Sequence, residues 1–360
     1  MSHPVRRRAA LALALAACSI PEPGSDAAPQ RPPASAPPAL AASAPAGSSS
    51  AFLARLAPPA PPATQPTRVT LSEMAMGTHI LLATYTTKDL DELMIRPKLD
   101  KALAEIRRLE ALMTTWKPDS EISKINAAAG GKPVPVGPET LSVIEKSLWI
   151  SGKSEGVFDI TFEAMHGLWK FDQDHDEKVP AADAIAAARK LIDYRKIKVD
   201  HQKSTVLLEN SGMRMSLGGI AKGYAVDAAA KVLRAEGIDA FFVQAGGDLF
   251  VRGRKPDGSA FRVGIRDPRG RDENDYFAML EVEGHAFSTA GDYERGFVKD
   301  GKRYHHIIDP RTGYPATASR SVTIWAADAF TADAVDDAVF ILGPEKGLSL
   351  VESIDDCGAV

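Results

Sequence analysis

The 360-residue chain predicts an α+β domain of mainly antiparallel sheet with helices, preceded by a signal peptide and a disordered tether. Three observations carry this. Strand-like segments follow one another in groups separated by glycine turns, as in AFFVQAGGDLFVRGR, and helical periods come in blocks instead of alternating with single strands. That order argues against a doubly wound parallel sheet. The first 67 residues, finally, lack the composition of a folded core.

The N-terminus reads as targeting sequence. Arg6, Arg7 and Arg8 precede AALALALAA, an apolar run too short to span a bilayer, so residues 1–18 are read as a signal peptide. Leu15-Ala16-Ala17-Cys18 is similar to the bacterial lipoprotein signal, in which the cysteine is lipidated and becomes the new N-terminus. The other cysteine is Cys357, so no disulfide framework accompanies export. The expected location is the bacterial cell envelope, with the protein lipid-anchored in the inner or outer membrane and facing the periplasm. Ser19 to Thr67 is dominated by Pro, Ala and Ser and cannot bury enough apolar surface to fold; it is expected to be an extended, semi-rigid tether. Net charge is −4 with no basic block beyond Arg6 to Arg8, which sets nucleic acid aside as a partner.

The folded domain is expected over residues 68–360. RVTLSEMAMGTHILLATYT alternates as two strands about a turn at Gly77 that presents Met76 and Thr78. Leu90 to Met113 is helical by period, with Leu99, Leu103, Ile106, Leu109, Leu112 and Met113 on one stripe. Ser120 suits the N-cap of a short helix, and Trp116 lies in the loop ahead of it, either as a packing residue or as a flat stacking surface. Further helices are expected at Pro138 to Ser154 and Ala182 to Ile192.

From Thr205 to Leu208, and on through Met213 and Met215, an extended segment runs into Gly218 and Gly219, then Gly223. Ala225, Val226, Ala229, Val232 and Leu233 then recur at helical spacing until Gly237. A strand, a glycine turn and a helix start are the elements of an anion site, because glycine allows positive φ or close approach and free N–H groups favour negative charge. A phosphate-bearing ligand and a plain strand-to-helix turn both remain open for these glycines alone.

Chemistry concentrates in three further stretches. In QAGGDL, Gly246 and Gly247 mark another turn between strands. In HHIIDPRTGYPA, Asp309 to Gly313 carries the residues of a hairpin tip, and His305 and His306 alternate, so one of them faces any given site. In TADAVDDAVFILG, Asp333, Asp336 and Asp337 share a helix face opposite a stripe of Val335, Ala338, Val339 and Leu342. Clustered carboxylates without lysine partners form either a solvated face or a site for a hard cation such as Mg²⁺ or Ca²⁺.

Taken together, AMGTHI, TTWKPDSEISKIN, GVFDIT, SLGGIAKGYAVD, QAGGDL, STAGDYER, HHIIDPRTGYP and TADAVDDAVFILG resemble, in order and spacing, the ApbE-type FAD:protein FMN transferases. The resemblance runs from about Arg68 to the last residue. It implies an ApbE/T-fold-like domain that binds FAD with Mg²⁺, moves FMN onto a threonine of an acceptor protein such as a membrane redox-complex subunit, and releases AMP. Some members instead hydrolyse FAD to FMN and AMP, and a lipid-anchored FAD-binding protein without turnover is a further alternative. The family's flavin-contacting positions fall on Met76, Trp116, Val157, Phe158, Asp159, Ser216, Lys222 and His306. Its metal positions fall on Gly219, through the carbonyl oxygen, and on Asp333, Asp336 and Asp337. No catalytic base is identified. Two positions depart from the family pattern: Ser216 stands where Asp is usual, and Asp337 where Thr is usual. The family normally runs on through closing strands beyond Val360, so either the sequence is truncated or its last sheet edge is unpaired.

Overall fold

The computed structural model describes residues 18–19, 65–171, 176–272 and 274–360. The signal peptide and the tether lie outside these residues, apart from 65–67 and Cys18–Ser19, whose backbone pairs antiparallel with Ile265 and Gly264. The central sheet begins where the composition changes, with the strand Arg68–Ala75.

Seven antiparallel strands form the central sheet, in the order Gly358–Ala359, Ser321–Ala326, Gly284–Gly291, Asp248–Arg252, Phe241–Ala245, Thr78–Tyr85 and Arg68–Ala75. The inner strands are buried on both faces. Along Phe241–Ala245, side chains alternate between two cores: Phe241, Val243 and Ala245 join the helix-side cluster, while Phe242 joins Phe261 and Val263 on the other side. The helix side is covered by α1 (Glu92–Met113), α5 (Ala221–Ala235) and α6 (Ala329–Leu342). Around them stand α2 (Glu121–Ala127), α3 (Pro138–Lys153), α4 (Ala182–Arg189) and α7 (Pro344–Glu352).

Local signals place several of these ends. Ser120 caps α2 by accepting the Ser123 N–H at 3.0 Å, as its position predicts. The first hairpin turns on Met76 and Gly77 with φ of 53° and 69°, the pair of positive values a two-residue type I′ turn requires. The tip at Asp309 to Gly313 is also as expected, with the Gly313 N–H donating to the Asp309 carbonyl at 2.8 Å.

Thr205–Leu208 is a strand, as expected, and it belongs to a separate three-stranded sheet with Val134–Pro135 and Ile197–Asp200. Met213 and Met215 lie outside any strand; the Asn126 side chain exchanges two hydrogen bonds with the Met215 backbone instead. The edge at Ser321–Ala326 is paired by Gly358–Ala359, and Val360 and Thr323 exchange backbone hydrogen bonds of 3.0 Å each. Gly343 ends α6, and Pro344 opens α7 at its first turn, where a missing N–H costs nothing.

Candidate functional site

The acidic face of α6 is not solvated. Asp333 and Asp336 are 2% and 5% exposed, and they are buried together with Ala332, Ala334, Val335, Ala338, Val339 and Phe340. The expected division into an acidic face and an apolar stripe gives way to a helix enclosed nearly all round, so its carboxylates need partners within the protein.

α5 supplies them. The Gly223 N–H donates to Asp333 Oδ2 at 2.7 Å, and Asp227 of α5 in turn accepts the N–H groups of Ala329 and Phe330 at 3.0 and 2.9 Å. Each helix thus puts a carboxylate at the start of the other, satisfying N–H groups that have no partner inside their own helix. Burial nevertheless raises the Asp227 carboxyl to about 6.

The glycines of the central turn owe their identity to close approach. Gly218, Gly219 and Gly223 do not have positive φ. A Cβ on Gly223 would stand 2.2 Å from the Ala329 carbonyl oxygen, so only glycine lets the two helices meet. One on Gly219 would stand 3.2 Å from Asp337 Oδ2 and 3.5 Å from the Phe158 ring. The anion at the start of α5 is therefore the protein's own Asp333.

Lys222 sits among the carboxylates that sequence spacing left without a cation. Its Nζ lies 3.2 Å from Asp248 Oδ2, 3.4 Å from Asp333 Oδ1 and 3.4 Å from the Gly218 carbonyl. Burial disfavours the ammonium, yet Asp248, Asp333, Asp336 and Asp337 together hold its pKa well above the usual lysine value. Asp248 is 1% exposed, and burial with the nearby Asp333 charge pushes it up to about 7. Burial raises Asp337 to about 6 against the pull of Lys222, and raises Asp336 well above the ordinary range. Between them stands Ser288, whose Oγ is 2.5 Å from Asp248 Oδ1 and 2.6 Å from Asp336 Oδ2. One hydroxyl proton cannot serve both contacts, so the array requires a further proton or a cation.

Asp248 and Ser288 were not among the predicted site residues. Their signal was present in QAGGDL and STAGDYER, where a small polar or acidic residue interrupts an otherwise apolar strand. Carboxylate oxygens of Asp248, Asp333 and Asp336 come within 4.8 Å of one another. An all-oxygen donor set of this kind fits a hard divalent cation, with Asp337 and the Gly219 backbone beside it.

The expected flavin-contacting residues are placed as follows. Trp116 is 77% exposed, free to stack, with the His166 ring at 5.9 Å edge-on. Met76 holds its strained turn with its N–H donating to Glu110 Oε1 at 2.7 Å. Val157 and Phe158 are buried, Phe158 against Gly219. The Asp159 carboxylate is occupied locally, by the Thr161 N–H and hydroxyl and by the Tyr194 N–H. Ser216 Oγ accepts the Gly218 N–H at 3.2 Å, bracing the turn. His305 is structural, its Nε2 bonded to the Ala316 carbonyl at 2.8 Å. His306 has a buried Nδ1 without a hydrogen-bond partner, and burial, helped by Arg295, lowers its pKa to about 3, leaving a neutral imidazole.

Residues 76–360 match the sequence profile of the ApbE family. The chain belongs to the ApbE family. It is 36% identical over 255 residues to a FAD:protein FMN transferase of Klebsiella pneumoniae, covering 70% of this chain and 73% of that protein. A FAD:protein FMN transferase of Treponema pallidum is 33% identical over 303 residues, covering 80% and 83%. Among solved structures, the ApbE protein of Thermotoga maritima superposes with a TM-score of 0.72 at 31% identity, covering 81% of this chain and 93% of that one. The flavin transferase ApbE of Vibrio cholerae gives 0.72 at 28% identity, over 82% and 93%. The mainly antiparallel sheet with clustered helices is thus the ApbE fold.

Proposed function

We propose that this ApbE-family chain is a Mg²⁺-dependent flavin transferase that moves the FMN half of FAD onto a threonine of an acceptor protein and releases AMP. The observation that carries it is the convergence of Lys222 with Asp248, Asp333, Asp336 and Asp337 beside the Gly218-Gly219 turn. Asp333, Asp336, Asp337 and the Gly219 carbonyl are the residues that would hold the ion. When bound, Mg²⁺ supplies charge neutralisation at a pyrophosphate.

The residues of the chain account for the rest. Lys222 offers a phosphate a flexible ammonium, and Trp116 offers an exposed ring for a flat heterocycle. Phosphoryl transfer asks chiefly for such positioning. Neutral His306, with an unpartnered buried Nδ1, offers a ligand a hydrogen-bonding ring nitrogen. Export and lipidation at Cys18 belong to the same proposal, placing the domain at a membrane; no helix among the described residues is long and apolar enough to cross one.

Incubation of the soluble domain with FAD and Mg²⁺, with and without an acceptor carrying a Ser/Thr-Gly-Ala-Ser/Thr-like motif, tests the proposal. AMP release together with covalent flavin fluorescence on the acceptor is the expected result. AMP without labelled acceptor means a pyrophosphatase, and neither product means a binding protein.

A further inference from the structure

Lys222 occupies a position that its assignment as a flavin contact does not explain. Its ammonium points into the carboxylate cluster, within 3.2 Å of Asp248 and 3.4 Å of Asp333. Those two residues, with Asp336, form the set whose oxygens approach one another within 4.8 Å. A lysine so placed does for the cluster what a bound cation does. It lowers the repulsion among buried carboxylates that would otherwise be costly to the fold.

Asp248 makes this placement possible. It belongs to Asp248–Arg252 in the central sheet and is fixed at both oxygens, by Ser288 at Oδ1 and Lys222 at Oδ2. Ser288, on the neighbouring strand Gly284–Gly291, extends the connection to Asp336 on α6. The chain Lys222, Asp248, Ser288, Asp336 therefore joins the group suited to a phosphate to a group suited to a metal, through two residues outside the family's ligand set.

We propose that Lys222 is the resident cation of this site, that Asp248 is its positioning residue, and that exchange of its ammonium for a divalent ion couples metal binding to nucleotide binding. The inference rests on the flavin transferase reading above. A divalent ion entering the cluster repels the ammonium, and a diphosphate offers that ammonium a new partner on its flexible stem. Each ligand thus favours the other, by the same factor in both directions. Without the nucleotide, the ion must displace Lys222 at a cost.

The test measures Mn²⁺ affinity by electron paramagnetic resonance on the protein without nucleotide, and again with saturating FAD but no acceptor. The expected result is that Lys222→Met binds Mn²⁺ more tightly than wild type in the absence of FAD, by about tenfold or more. Lys222→Arg stays near wild type, and the tightening of Mn²⁺ by FAD seen in wild type is lost in Lys222→Met. In Asp248→Asn, half of the lysine's anchorage is gone, so FAD tightens Mn²⁺ binding by a smaller factor than in Ser288→Ala, which leaves Lys222 anchored. Lys222→Gln repeats the measurement should Lys222→Met not fold, as read by its unfolding midpoint. If wild type binds Mn²⁺, Asp333→Ala does not, and both neutral Lys222 variants bind no tighter than wild type, the resident-cation proposal is overturned while the metal site stands. If wild type binds no Mn²⁺ with or without FAD, the metal reading fails and this inference with it.

Discussion

Asp333 accepts the Gly223 N–H at 2.7 Å and also lies 3.4 Å from Lys222 Nζ, so one side chain of α6 both caps α5 and contacts the cation of the site. These two duties can be separated by substitution. Asp333→Asn keeps an oxygen to accept the Gly223 N–H but removes the charge, so its stability should stay close to wild type while Mg²⁺-dependent AMP release is lost. Asp333→Ala should lose activity and, through the missing cap, about 1 kcal/mol of stability as well. Urea denaturation beside an AMP assay separates the two, and metal-dependent activity in either variant contradicts the assignment of Asp333 as a ligand.

Gly223→Ala addresses packing. The added methyl would meet the Ala329 carbonyl and Asp333 Cβ at 2.2 and 2.7 Å, both on α6 and neither the end of a flexible chain. The helices must separate, at about 1–3 kcal/mol. A midpoint unchanged in urea would show that α5 and α6 yield more easily than close packing allows.

At Met76, strain and function are expected to diverge. A methionine at φ 53° is costly, whereas Asn-Gly is the favoured pair for a type I′ turn. Met76→Asn should hold stability within about 1 kcal/mol of wild type, or raise it, by relieving the left-handed strain. Its FAD affinity, measured by flavin fluorescence, should fall. Affinity equal to wild type would remove Met76 from the flavin site.

Trp116 is largely in solvent, so Trp116→Ala should change stability by no more than about 0.5 kcal/mol. Flavin fluorescence quenching on binding should weaken markedly. Intact quenching would leave Trp116 as surface.

The Asp227 carboxyl is raised by burial from 3.8 to about 6 in the folded protein, the two backbone N–H groups only partly opposing this. Because the folded state then holds its proton more tightly than the unfolded state, this group's contribution is full below pH 3.8 and is lost as pH rises through about 6. The stability of wild type relative to Asp227→Asn should therefore decline between these two pH values and level off above. A difference that grows with pH in that window would mean the ionised carboxylate is the better cap.

The sequence made the site legible wherever spacing along one element sufficed. Three aspartates at 333, 336 and 337 on one helix, and glycines at 218, 219 and 223 ahead of another, could be read without coordinates. What they did for each other could not. Gly223 is small because Ala329 is close, and the carboxylates lack a neighbouring lysine on α6 because Lys222 comes from α5, contacts that join positions more than 100 residues apart. Asp248 and Ser288 were hidden for the same reason: their significance lies in sheet register, which brings two strands beneath α6. The strand at Thr205–Leu208 was legible, but its expected continuation through Met213 and Met215 was not a strand, because the Met215 backbone bonds to the Asn126 side chain, a partner 89 positions away.

The mutual capping of α5 and α6 also bears on how the molecule is made. Gly223 and Asp333 are 110 positions apart, so the start of α5 stays open until nearly the whole domain has been synthesised and the strands between have folded. Closing so long a loop is an entropic cost met late, by the sheet, and is not recovered by either helix alone. A nascent chain halted between α5 and α6 therefore holds Lys222 without Asp333 or Asp336. Competence at this site arrives in one step with the finished fold.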